Sequence, residues 1–392
     1  MEYCISDRMR DMKPSAIREI FKSLGTPGAI SFAAGNPSPL SFPVDAIAAL
    51  SADILKNNAA AALQYGTTEG FTPLREDVTK RLSERFAIGR DGDVTIITSG
   101  GQQAIELACK ALCNEGDVVL CEEPSFIGAL NSFRSLGAVP VGVPLLSDGM
   151  DIDVLEEKLK TVKNVKMLYV IPTFQNPAGI TTSLEKRKAI YALAQKYNVM
   201  ILEDNPYGEL RFAGENVPTL KSMDTDGRVI YCGSFSKVLS AGMRVGFAVA
   251  AEPVISKMVV AKQVEDVHTN IFMQMITHRF LTEYDFEAHL EKIRDLYRHK
   301  ASLMLGVLDE VMPDCVSYTR PEGGLFLWCT LPESVPMNDF VKKAAEQKVF
   351  VVPGTAFCCD PNGTSRSFRL NYSMPSDEEI DKGIRILAGL IA

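Results

Sequence analysis

The sequence predicts an α/β protein: a large domain with a mostly parallel central sheet flanked by helices, plus a smaller α+β domain. Three observations predict it. Apolar runs alternate with helical patterns through the middle of the chain. Those runs are continuous rather than alternating, as expected of strands covered on both faces. The alternation then stops after Pro253, where one long helical pattern and two isolated strand-like runs follow.

The elements follow in order. "DVTIITSGGQQAIELACKAL" reads as a strand, a Gly turn and a helix, and "DVVLCEEPSF" as a short apolar run ending in polar residues. "VKMLYVIPTFQNPAG" and "NVMILEDNPYGEL" repeat that form, with "SLEKRKAIYALAQKY" as a helix between them. "RVIYCGSFSK" and "RVGFAVAA" are two more apolar runs. "EAHLEKIRDLYRHKASLMLGVLDEVM" reads as a long helix, and Pro313 follows it. "GGLFLWCTL" and "SFRLNYS" read as strands, and a last helix starts at Asp377. This divides the chain into a large domain over 45–284 and a small domain made of 1–44 and 285–392.

Composition bounds the function classes. The 392 residues suffice for two domains or one large α/β unit. An apolar content of 46% with 23% charged residues is ordinary for a soluble globular protein. The net charge of −8 argues against a nucleic-acid or anionic-membrane partner held by a basic surface, and leaves room for a local cationic pocket. The start, "MEYCISDRMRDMKPS", lacks the apolar segment of a signal peptide, and no apolar run is long enough to span a bilayer. The nine cysteines show no disulfide framework, so a cytoplasmic location with reduced thiols is expected. His268, His278, His289 and His299 show no ligand spacing with the cysteines, and no metal site is expected.

Polar residues cluster where the strands should end, which is where open α/β sheets bind ligands. Asn176 follows "LYVIPTFQ", Asp204 follows "VMILE", Lys237 follows "VIYCGSFS", and the Gly100–Gly101 turn follows "VTIIT". Any one of them alone could be a turn residue or a helix cap. Together they offer an amide, a carboxylate, an amine and a helix start with free backbone N–H groups, a ready anion site. Arg244, with Ser234 and Ser236, could bring a cation and hydroxyls to the same anion. An anion site, a carboxylate and an amine together fit pyridoxal 5′-phosphate, which needs a lysine for its imine, an acid facing its ring nitrogen and a phosphate cup.

At this point the chain resembles a known family, the class I/II aminotransferases of fold type I. The resemblance covers nearly the whole chain. It rests on "GNP" (35–37), "QYG" (64–66), "SGGQQA" (99–104), "PTFQNPAG" (172–179), "EDNPY" (203–207), "SFSKVLSAGMRVG" (234–246), "GGLFLW" (323–328) and "FRLNYS" (368–373). "KPSAIRE" near the start is similar to the kynurenine/2-aminoadipate aminotransferase branch.

The resemblance implies specific roles. Lys237 would bond the cofactor and then shuttle a proton. Asp204 would face the pyridine nitrogen, and Asn176 and Tyr207 the 3′-oxygen. Ser234, Ser236, Arg244 and the N–H groups near Gly100, Gly101 and Gln102 would hold the phosphate. Phe126 would stack on the ring, and Tyr65 would reach the phosphate of a neighbouring subunit, implying a homodimer with shared sites. Arg369 would bind the substrate α-carboxylate, helped by the backbone at Gly35, and Arg18 would meet a substrate side chain. An amino group would pass from an L-amino acid to a 2-oxo acid, 2-oxoglutarate being the usual acceptor in the family.

Two residues depart from the family pattern: Phe126 stands where Tyr or Trp is common, and Ala241 where Pro is common. Both departures leave substrate choice more open than reaction class. A C–S β-lyase on the same fold is the alternative enzyme reading. A cofactor-sensing transcription regulator is a remote one, since about 30 residues precede "SFAAGNP", too few for a winged helix. Neither G-x-x-x-x-G-K nor G-x-G-x-x-G occurs, which argues against P-loop and dinucleotide enzymes.

Overall fold

The structure is a computed structural model that describes residues 3–10 and 27–391. Its first strand, β1 (Ile30–Ser31), precedes eight that share one sheet. These are β2 (Asp93–Thr98), β3 (Val118–Glu123), β4 (Val139–Leu146), β5 (Gly149–Met150), β6 (Val165–Val170), β7 (Met200–Asp204), β8 (Val229–Ser234) and β9 (Gly246–Ala251). Their spatial order is β2-β9-β8-β7-β6-β3-β4-β5. The pairs β8–β7, β7–β6, β6–β3 and β3–β4 are parallel. β9 runs antiparallel between β2 and β8, and β5 antiparallel beside β4.

The continuity of the apolar runs has a direct cause. Successive side chains of a strand point to opposite faces. Val119, Met167, Tyr169, Leu202 and Ile230 enter one apolar layer, and Leu120, Leu168, Ile201 and Val229 enter another. Both layers are buried, so both parities must be apolar. Helices Gly101–Leu112 and Ile127–Ser135 pack on each other, as do helices Ile152–Thr161 and Leu184–Tyr197.

The second part of the chain is built differently. Strands β10 (Ser317–Tyr318), β11 (Phe326–Thr330), β13 (Val352–Pro353) and β14 (Ser367–Asn371) form an antiparallel sheet in the order β10-β11-β14-β13. β12 (Val349–Phe350) pairs in parallel with β1, Ile30 facing Val349. The long helix Phe286–Val311 starts at Asp285, whose carboxylate accepts from the Ala288 N–H. Its buried residues Leu290, Ile293, Tyr297, Met304 and Leu308 recur at spacings of three, four or seven residues, making one stripe. Helix Asp377–Gly389 lies against it and opens with a capping box between Ser376 and Glu379.

This topology places the site. β2, β6, β7 and β8 run in one direction, so the residues after their carboxyl ends gather at one edge. β14 brings Arg369 to the same place from the smaller sheet.

Candidate active site

A cavity of about 360 Å³ lies at that edge. Gly35, Gly101, Gln102, Phe126, Asn176, Asp204, Tyr207, Ser234, Ser236, Lys237, Arg244 and Arg369 all line it, so twelve of the sequence-predicted residues meet in one place. Gly100 is not among the lining residues but lies against the Arg244 guanidinium. Tyr65 lies elsewhere, 80% exposed, with its ring edge-on to His268 at 5.7 Å. Arg18 is outside the described residues.

The acid end comes from β7 and β6. Asp204 closes β7, and the Tyr169 hydroxyl on β6 donates to its Oδ2 at 2.8 Å. Burial pushes the Asp204 carboxyl up to about 7, with the Tyr169 hydrogen bond opposing. A cation set against this acid would restore its ionised form.

Lys237 lies just past β8. Its Nζ donates to the Gly35 carbonyl at 2.7 Å. Burial first, then the Arg369 and Arg244 cations, bring its ammonium down to about 8. Such a lysine loses its proton far more readily than a solvated one.

The anion end is mostly backbone. Gly100 caps helix Gly101–Leu112 with φ +83 and no side-chain cap, leaving the first N–H groups free. A Cβ on Gly100 would stand 2.3 Å from Arg244 Nη2, so only glycine lets the guanidinium approach. Arg244 occupies a left-handed turn at φ 56 and donates to Ser99 O at 3.0 Å and to Ser236 Oγ at 3.4 Å. The Ser234 hydroxyl donates to Ser236 Oγ at 2.9 Å. The Gln102 side chain turns away to Gly128 O and Ser132 Oγ, so only its backbone serves this end.

Arg369 forms the third corner. Its Nη1 donates to Asn176 Oδ1 at 2.8 Å and its Nη2 to Ala33 O at 2.7 Å. The guanidinium lies 4.2 Å from the Phe326 ring centroid and 5.1 Å from that of Phe357. Burial lowers Arg369 to about 10, and its Nε is buried without a hydrogen-bond partner. Burial also pushes the neighbouring Tyr207 phenol up, against the pull of Arg369.

Several contributors escaped the sequence reading. Tyr169 and Phe326 are strand residues that read as core. Ala33 acts through its carbonyl, which no side-chain pattern reveals. Gln175 and Glu122 support the Asn176 turn: Gln175 Nε2 donates to Glu122 Oε2 at 3.1 Å, and Gln175 Oε1 accepts from the Ala178 N–H at 2.8 Å. Among the described residues no cluster could hold a metal ion.

The charges state what the cavity can hold. Three cations, Lys237, Arg244 and Arg369, face one acid, Asp204, which calls for an anionic ligand. An open helix start, two hydroxyls and an arginine suit a phosphate. The unpartnered Arg369 Nε suits a carboxylate. A raised acid suits a protonated ring nitrogen. The residues present therefore fit pyridoxal 5′-phosphate with an amino-acid substrate.

Comparison with known proteins agrees. The family described as Aminotransferase class I and II matches residues 27–387. Aromatic-amino-acid aminotransferase 1 of Thermococcus litoralis is 42% identical, covering 100% of this chain and 94% of that protein. The 2-aminoadipate transaminase of Thermus thermophilus is 40% identical over 97% of this chain and 96% of its own length. The crystal structure of Pyrococcus horikoshii kynurenine aminotransferase in complex with PMP superposes with a TM-score of 0.95 at 40% identity, covering 99% of this chain and 96% of that one. The chain belongs to the class I and II aminotransferases, enzymes of fold type I that depend on pyridoxal 5′-phosphate.

Proposed function

We propose that this chain moves the amino group of an aromatic or 2-aminoadipate-class amino acid to a 2-oxo acid, 2-oxoglutarate by preference. The observation that carries the reading is the pairing of the raised Asp204 with the lowered Lys237 in a cavity flanked by Arg244 and Arg369. Relatives named for aromatic amino acids and for 2-aminoadipate support the donor class.

Pyridoxal 5′-phosphate, when bound, supplies the carbonyl that accepts the amino group and the ring that draws electrons from the substrate α-carbon. The chain's own residues do the rest. Ser234, Ser236, Arg244 and the N–H groups of Gly101 and Gln102 would hold the phosphate. Asp204, steadied by Tyr169, would face the ring nitrogen and keep a proton there. Asn176 and Tyr207 would hydrogen-bond the 3′-oxygen, and Phe126 would cover one ring face. Arg369 clamps the substrate α-carboxylate and so orients the α-hydrogen. Lys237 Nζ would take that proton from the α-carbon and deliver it to the cofactor carbon that receives the amino nitrogen, which its lowered pKa permits near neutral pH.

The same reading extends to assembly. Leu63, Tyr65, Val264 and Val267 are exposed, and the Tyr65–His268 contact draws their two stretches together. Such an apolar surface suits a second copy of the chain, with Tyr65 serving the neighbour's phosphate. Residues 45–284 would form the large domain, and 1–44 with 285–392 the small one. The nine free thiols suit a reducing, cytoplasmic compartment. Arg18 is assigned to the side chain of acidic substrates.

The test is a panel of amino acids added to the cofactor-loaded protein without any oxo acid, followed by visible absorbance. Conversion by phenylalanine, tyrosine, kynurenine or 2-aminoadipate, reversed by 2-oxoglutarate, supports the reading. An unconverted cofactor with pyruvate and ammonia released from a cysteine-type donor would replace it with the lyase.

A further inference from the structure

Behind the anion end lies an ion pair between a buried lysine, Lys262, and a half-buried aspartate, Asp266, that the reaction does not use. Lys262 sits on helix Glu252–Glu265, which packs against helix Gly101–Leu112, and its side chain is 0% exposed. A buried ammonium is costly unless every N–H is met. Lys262 Nζ donates to Asp266 Oδ1 at 2.7 Å and Oδ2 at 2.9 Å, to Thr269 Oγ1 at 3.0 Å and to Gln103 Oε1 at 3.0 Å.

This pair converges on one residue. Asp266 Oδ2 accepts from Ser99 Oγ at 2.7 Å and from Gln103 Nε2 at 2.8 Å. Gln103 Oε1 in turn accepts from the Ser99 N–H at 2.7 Å. The remaining polar group of Ser99, its carbonyl, accepts from Arg244 Nη2 at 3.0 Å. Ser99 is therefore held at its amide, hydroxyl and carbonyl, and it immediately precedes the Gly100 cap. The pair also has a charge role. Alone, Asp266 would set an unbalanced carboxylate next to a site for phosphate; Lys262 neutralises it.

We propose that the Lys262–Asp266 pair is the positioning element of the phosphate cup, fixing Ser99 and through it Gly100 and Arg244, so that the cavity favours a phosphorylated ligand over its unphosphorylated form. This rests on the reading of the cavity as a pyridoxal 5′-phosphate site.

The test is equilibrium dialysis of the cofactor-free full chain against pyridoxal 5′-phosphate and, separately, against pyridoxal. Wild type should bind the phosphorylated form far more tightly. Lys262→Met should weaken pyridoxal 5′-phosphate by about thirtyfold, the worth of a charged hydrogen bond, and leave pyridoxal within about twofold. Ser99→Ala, which removes one hydroxyl and endangers folding less, should show the same selective loss at about fivefold. Equal loss of both ligands, or no loss in Ser99→Ala, would overturn the proposal while the cofactor reading stood. Wild type that did not distinguish the two ligands would overturn the cofactor reading and the proposal with it.

Discussion

Two arginines face one cavity and are built in opposite ways. Arg369 is 1% exposed, lies close to two aromatic rings and rises from the centre of a strand. Arg244 is exposed, sits in a left-handed turn and leans on hydroxyl and carbonyl oxygens. The difference teaches where selectivity resides. A desolvated guanidinium whose Nε lacks a partner gains most from a carboxylate that meets it in a fixed plane. An exposed guanidinium shares its anion with backbone N–H groups and hydroxyls, so no single contact dominates.

Exchanging the losses would break this comparison. Arg369→Ala should lower kcat/KM for amino-acid donors by about a thousandfold, since a buried charged contact is worth roughly 3–5 kcal/mol, while cofactor affinity changes little. Steady-state kinetics beside cofactor dialysis measures both. Arg244→Ala should do the reverse and more weakly, raising the cofactor dissociation constant about tenfold with a smaller change in KM at saturating cofactor. If Arg244→Ala instead raised KM and spared the cofactor, the two assignments would have to be exchanged.

The acid in the same cavity sharpens the contrast. The Asp204 carboxyl is raised from 3.8 to about 7 by burial, so the folded protein holds its proton where the unfolded chain has lost it. Its burial therefore lowers the stability of the cofactor-free protein as pH rises from 3.8 to about 7, and the full cost applies above that window. Asp204→Asn should stabilise the cofactor-free protein at pH 8 by up to about 4 kcal/mol and have little effect near pH 4. Thermal melts at the two pH values measure this, and an equal gain at both would contradict the burial account. The smallest expected effect is ionic. Raising salt from about 0.05 to 0.5 M should weaken cofactor binding roughly twofold through the exposed Arg244 and leave KM for the donor nearly unchanged.

Much of this was legible in the sequence, for a physical reason. Lys237, Asp204, Asn176 and the Gly100–Gly101 turn follow apolar runs, and a parallel sheet must bring such strand ends together. The long helix and its stop were legible because apolar spacing and Pro313 report them locally. What was not legible depends on pairing between distant segments. The antiparallel insertion of β9 between β2 and β8 leaves no mark on an apolar run. Tyr169 reads as core until β6 pairs with β7 and its hydroxyl meets Asp204. The Ala33 carbonyl meets Arg369 only when the N-terminal segment folds back against β12 and β14.

The central claim is that this cavity transfers an amino group by moving a proton through Lys237. The most direct measurement is a single turnover of Lys237→Ala, loaded with pyridoxal 5′-phosphate and mixed with the best donor of the panel, beside wild type. The account predicts that the variant retains cofactor and donor but converts them at least about a thousandfold more slowly. Conversion at the wild-type rate would contradict it.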